Sequence, residues 1–176
     1  MRVIIVRSIF IFCAVFLISS VNAFTAERGD VKQKKQLLSL IKPLAELMTS
    51  EKPTLKDAAR LLGGPVERKK GDNYAYIQGY GYSFCAHLTG PDDDPLMDWC
   101  EMFFDQRIID IRFREIVEIF GEWKKVRISK TSSVRFSYVN PRTGKRFIVF
   151  AHLDFPPKDP GSPVKDIKIM PSWEGK

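Results

Sequence analysis

The feature that most constrains this chain is a pattern written twice. Ala86-His87-Leu88-Thr89-Gly90-Pro91-Asp92-Asp93-Asp94-Pro95 and Ala151-His152-Leu153-Asp154-Phe155-Pro156-Pro157-Lys158-Asp159-Pro160 both fit Ala-His-Leu-x-x-Pro-x-x-Asp-Pro. In each copy a strand-like run meets Pro and Asp, which break it, and another strand-like run follows. Each copy also follows a helix-like run stopped at Gly, Leu62-Gly63 and Phe120-Gly121. The spacing predicts two related units, residues 52–114 and 115–176.

Before them, Met1 to Ala23 reads as a signal peptide. Arg2 and Arg7 form a basic start, Ile9 to Ile18 an apolar centre, and Val21-Asn22-Ala23 a small-residue cleavage site after Ala23. The apolar run is shorter than the roughly 20 residues a membrane span needs. The expected location is therefore periplasmic or secreted, with no stable membrane insertion after cleavage. Cys13 leaves with this segment. Cys85 and Cys100 remain in an oxidising compartment, where a disulfide between them is expected. In the chain-entropy model such a bridge gives up to about 3 kcal/mol.

The net charge of +7 falls to +5 without Arg2 and Arg7. That excess is spread along the chain, and no Arg-rich or RNA-binding signature accompanies it, so nucleic acid is not an expected ligand.

Residues 24–51 form an N-terminal amphipathic region. Asp30 can cap a helix from Val31 to about Thr49, with Leu37, Leu38, Ile41, Leu44, Ala45 and Met48 on one stripe. Pro43 predicts a kink or a division into two helices. Thr54-Leu55-Lys56-Asp57 resembles a capping box and opens a helix that Gly63-Gly64-Pro65 ends. Asn73 to Cys85 reads as strand, Leu88 to Met97 as a Pro/Asp loop, Asp98 to Phe104 as the return strand and Ile108 to Arg114 as a third strand. Glu115 to Phe120 is a short helix. Lys125–Lys130, Ser133–Val139, Lys145–Leu153 and Val164–Met170 are further strands, with a turn at Asn140-Pro141-Arg142-Thr143-Gly144. The fold class is α+β: short helices packed on an antiparallel sheet, in two related modules.

Tyr74, Tyr76, Tyr80, Tyr82 and Phe84 share one parity and, without a bulge, one face. A Cys85–Cys100 bridge would mark the other face. The aromatic face, joined by Trp99 and Phe103, is then either an interaction surface or the core itself, and both readings stand.

Thr54-x-x-Asp57, Leu62-Gly63-x-Pro65, the Tyr-rich strand, Met102-Phe103-Phe104-Asp105 and Ile108 to Ile111 resemble the opening helix and hairpin of small envelope-assembly lipoproteins of the SmpA/BamE type. The doubled arrangement is similar to the β-lactamase-inhibitor-protein fold. That resemblance implies two helix-plus-sheet modules whose concave, aromatic-rich sheet grips a partner protein. The lipid-attachment Cys of the lipoproteins is missing, and the second half has no Cys.

These readings lead to an exported, non-enzymatic protein-binding module, an inhibitor or immunity protein that occludes a partner in the cell envelope. The expected anchors are Tyr76, Tyr80, Tyr82, Trp99 and Phe103, with Asp92, Asp93 and Asp94 as a charged rim. No cofactor, metal or catalytic residue is assigned. The alternatives are an envelope-assembly factor, and an enzyme or metal-binding protein using His87 or His152.

Overall fold

The computed structural model describes residues 30–128, 131–154 and 159–172. The signal-peptide reading and Cys13 lie outside them. Among the described residues no helix is long and apolar enough to cross a membrane.

Helix α1 covers residues 30–48. Its stripe Leu37, Ile41, Leu44, Ala45 and Met48 is buried, and Leu38 packs half-buried beside it. The helix runs unbroken through Pro43. Proline removes one backbone bond there, but Ile41, Leu44 and Ala45, all fully buried, hold both sides in place, so the expected division does not occur. Thr54 caps α2 (Leu55–Leu62): its hydroxyl oxygen accepts from the Asp57 N–H at 3.1 Å. Gly63 ends the helix in the left-handed region at φ 71°, its N–H donating to the Ala59 carbonyl. Helix α3 (Phe113–Phe120) starts where the Glu115 carboxylate accepts from the Arg112 N–H at 2.8 Å.

Among the described residues eight strands make one sheet: β1 (Val66–Glu67), β2 (Tyr74–Gly79), β3 (Tyr82–Thr89), β4 (Leu96–Phe104), β5 (Trp123–Ile128), β6 (Thr131–Val139), β7 (Arg146–Leu153) and β8 (Val164–Pro171). Their order is β1-β2-β3-β4-β8-β7-β6-β5 and every pairing is antiparallel. Among these strands, neighbours in the sheet are neighbours in the chain except at β4 and β8. That seam pairs Cys100 with Ile169, Glu101 with Lys168, Met102 with Ile167 and Phe103 with Asp166.

Helices α1, α2 and α3 lie on one face. Ala75, Ile77, Phe84, Cys100, Met102, Val134, Phe136, Val149, Ile167 and Ile169 of the sheet join the helical stripes in one buried cluster. Helix α1 crosses the seam. Near its start Asp30 meets the Tyr80 hydroxyl at 3.4 Å, and past its end Thr49 receives the Asn140 side-chain N–H at 2.7 Å. Asn140 is 2% exposed, so this bond satisfies a donor with no water to turn to.

The bridges outside the strands are Thr54 with Leu96 and Arg112 with Pro163. The pairing slips after His87 against β4 and after His152 against β8, each within its Ala-His-Leu segment.

Three expectations need correction. Ile108–Arg114 is not a strand: the Asp105 carbonyl accepts from Ile108 and Ile109 N–H and turns the chain, and α3 starts at Phe113. The expected boundary between units, after Arg114, thus falls inside that helix. Asn73–Cys85 is two strands, because Tyr80-Gly81 is a two-residue turn that pairs Gly79 with Tyr82. Such a turn reverses side-chain parity, so Tyr74 and Tyr76 point away from the helices while Tyr82 and Phe84 point towards them. The disulfide is not formed: Cys85 and Cys100 are free thiols. Cys85 pairs with Glu101 and Cys100 with Ala86, so the two sulfurs lie on opposite faces of the sheet.

Candidate functional site: the open face of the sheet

The helix-free face divides into an aromatic region and a titratable centre. In the aromatic region Tyr74 pairs with His87 across β2 and β3, and His87 with Trp99 across β3 and β4. Paired residues share a face, which brings the three rings together. His87 stacks on Trp99 with centroids 5.7 Å apart and planes 7° apart, and Tyr74 meets both edge-on at 5.2 and 6.1 Å. The Lys168 ammonium reaches across the seam to lie 3.9 Å above the Trp99 ring, a cation–π contact. Tyr74, Tyr76 and Phe103 are each 43% exposed. Large apolar side chains held open to water at one place mark an interaction site more often than an accident of packing.

The centre lies beside Phe103. One cross-strand row runs Phe103, Asp166, His152, Ser133 over β4, β8, β7 and β6. His152 Nδ1 is in direct hydrogen-bond contact with an Asp166 carboxylate oxygen. Glu101, one pair along β4, brings its carboxylate to the same point. Ligand-type atoms of Glu101, His152 and Asp166 all lie within 4.8 Å of one another. None of the three is exposed. Burial, then the neighbouring Asp166 carboxylate, raises the Glu101 carboxyl above the usual range. The hydrogen bond to Asp166 raises the His152 imidazole. Glu101 and His152 thus hold protons more readily than exposed groups would, and with Asp166 they could bind a cation or pass a proton.

The histidines of the two Ala-His-Leu segments differ in surroundings. His87 Nδ1 is 3.5 Å from the Asp98 carboxylate, too far for a strong bond, and is held by its ring contacts. His152 is held by its carboxylate. The thiols offer little chemistry. Burial raises Cys85, and raises fully buried Cys100 much further, so neither forms thiolate readily.

Of the expected anchors, Tyr76, Trp99 and Phe103 share the open face. Tyr82 does not: its hydroxyl donates to the Leu62 carbonyl at 3.1 Å on the helix side. Tyr80 is 55% exposed but sits in the turn at one end of β3. Asp92, Asp93 and Asp94 occupy the loop at the other end. There Arg68 donates to both the carboxylate (2.6 Å) and the carbonyl (3.1 Å) of Asp92, while Asp93 and Asp94 stay exposed. Sequence reasoning put Tyr74 on the aromatic face without making it an anchor, and assigned no role to Glu101, Asp166 or Lys168. Only the β4–β8 register, absent from any local pattern, joins the last three. Comparison of the chain with protein-family models, curated proteins and solved structures returned no match.

Proposed function

We propose that the open face is a protein-docking surface and that the protein acts without catalysis, by covering a partner in the compartment to which it is exported. The observation carrying this reading is the aromatic region, with Tyr74 and Tyr76 exposed beside the Trp99–His87 stack and Phe103 exposed further along β4, on a face that helices α1, α2 and α3 leave uncovered. Aromatic side chains are the usual anchors of protein interfaces, and a preformed sheet holds them at little further cost in entropy. Tyr76, Trp99 and Phe103 are the anchors, with Tyr74 added. The chain is basic overall, which favours a partner with an acidic rim.

The same reading takes the chain as two related modules, each a short helix followed by four strands. In its support, Thr54, Leu96, His87 and Glu101 of the first have counterparts in Arg112, Pro163, His152 and Lys168 of the second. Glu101 then faces its own counterpart, Lys168, at the middle of the seam. This arrangement is in keeping with the similarity to the β-lactamase-inhibitor-protein fold.

The test is capture from the native cell envelope and culture fluid with the untagged mature protein immobilised through amines, followed by assay of the captured protein's own activity. The expected result is one stoichiometric partner, inhibited on binding. Trp99→Ala and Tyr76→Ala should each weaken capture by about 30-fold or more, the effect of losing a 2 kcal/mol anchor, with an unchanged circular dichroism spectrum. Undiminished capture by both folded variants overturns the surface assignment.

A further inference from the structure

We propose that Glu101, His152 and Asp166 form a binding site for a first-row divalent metal ion of the Zn²⁺ or Mn²⁺ kind. The inference is independent of the docking reading. It rests on the donor set and its scaffold. Two carboxylate oxygens and one imidazole nitrogen, within 4.8 Å of one another, come from β4, β7 and β8, three adjacent strands at the middle of the sheet. Donors bound to one zinc ion lie about 3.3 Å apart, given metal–ligand bonds of about 2.0–2.2 Å in a tetrahedron. The hydrogen-bonded Asp166 and His152 part slightly as the metal replaces the proton between them, and Glu101, within 4.8 Å of both, closes in.

Charge points the same way. The two carboxylates stand side by side in partial burial, and Asp166 is 8% exposed. Lys168, paired with Glu101 across the seam, lies over the Trp99 ring, and among the described residues no ion pair links it to Glu101 or Asp166. A dication neutralises both carboxylates and leaves His152 a neutral ligand, its proton released to solvent. The mixed nitrogen–oxygen set suits Zn²⁺ or Mn²⁺ better than Ca²⁺, which favours six or more oxygens. Three protein ligands leave a coordination position on the solvent side.

The experiment is Zn²⁺ titration of the untagged, chelator-treated full protein by calorimetry, together with ¹⁵N NMR of the imidazole rings. The chain has two histidines, so each ring signal is assignable. The expected result is one equivalent bound with micromolar or tighter affinity, a shift of the His152 ring nitrogens, and an unmoved His87. Glu101→Gln should weaken binding at least tenfold, while His87→Gln should leave it unchanged. The wild-type NMR result stands even if Glu101→Gln fails to fold. Absence of saturable binding up to millimolar Zn²⁺, a shift at His87 in place of His152, or equal affinity in folded Glu101→Gln overturns the proposal.

Discussion

The turn at Tyr80-Gly81 decides which aromatic residues face water, and Gly81→Ala tests how it does so. Gly81 has φ 73°, and a Cβ built there would lie 2.5 Å from Ile109 Cγ1 and 2.6 Å from Cδ1. Two penalties follow. Placing an L-residue in the left-handed region costs about 1–2 kcal/mol. Pressing a methyl group into the fully packed Ile109, 2% exposed, costs about 1–3 kcal/mol more. The sum is about 2–5 kcal/mol, which for a chain of this length lowers Tm by roughly 10 °C, at about 2–4 °C per kcal/mol. Gly90→Ala is the control: its φ is 88°, but nothing lies within 4 Å of the added carbon, so the backbone penalty stands alone. Urea unfolding of both variants separates the two effects. The Gly81→Ala, Ile109→Ala pair should also lose less stability than its single changes summed, because the smaller side chain makes room. If Gly81→Ala and Gly90→Ala destabilise equally, within about 0.5 kcal/mol, and the double change is additive, the contact with Ile109 does not hold the turn.

Mass spectrometry after alkylation in denaturant, without reductant, should find both Cys85 and Cys100 modified, and the native protein should resist alkylation at Cys100; an intact bridge would refute the assigned faces. Thr54→Ala removes the oxygen that accepts from the Asp57 N–H and should cost about 1 kcal/mol in urea unfolding, whereas an unchanged midpoint would deny the cap a role. The Asp166 hydrogen bond lets folded His152 hold its proton more tightly than the unfolded chain does. The stabilisation is therefore complete below the ordinary imidazole value of about 6.5 and is lost as pH rises through the higher folded value. The stability gap between wild type and His152→Gln should narrow from pH 6 to pH 9, and a gap that widens would contradict the pairing.

What could be read from the sequence was what local chemistry dictates. Thr54 and Gly63 bracket α2 because a hydroxyl and a left-handed glycine satisfy helix ends wherever they occur. Leu37, Ile41, Leu44 and Met48 declared the face of α1 that is buried. The α+β class, with helices on an antiparallel sheet, followed from those elements and is what the structure has. The Tyr-rich stretch misled because Gly79-Tyr80-Gly81-Tyr82 continues the alternation of a strand while the backbone turns inside it. Tyr82 thus moved from the expected surface to the core. Ile108–Arg114 alternates as a strand does, yet Asp105 and Glu115 spend its ends on a turn and a helix start. Cys85 and Cys100 were expected to bridge by elimination, an argument blind to the face each occupies. The titratable centre was the least legible part. Glu101 stands more than fifty residues from His152 and Asp166, and only pairing across the seam joins them.

That seam also sets an order of assembly. β1 to β4 form a run of neighbouring hairpins, as do β5 to β8, so each run closes short loops. Joining β4 to β8 encloses most of the second half in one long loop, a slower event than hairpin closure. Until β8 arrives, Leu96–Phe104 is an unpaired edge bearing Met97, Trp99, Met102, Phe103 and Phe104, and strands of that kind recruit other chains. A chain stopped before Val164 keeps that edge permanently. Among the described strands, the last to emerge from synthesis is thus the one that shields the first half from aggregation.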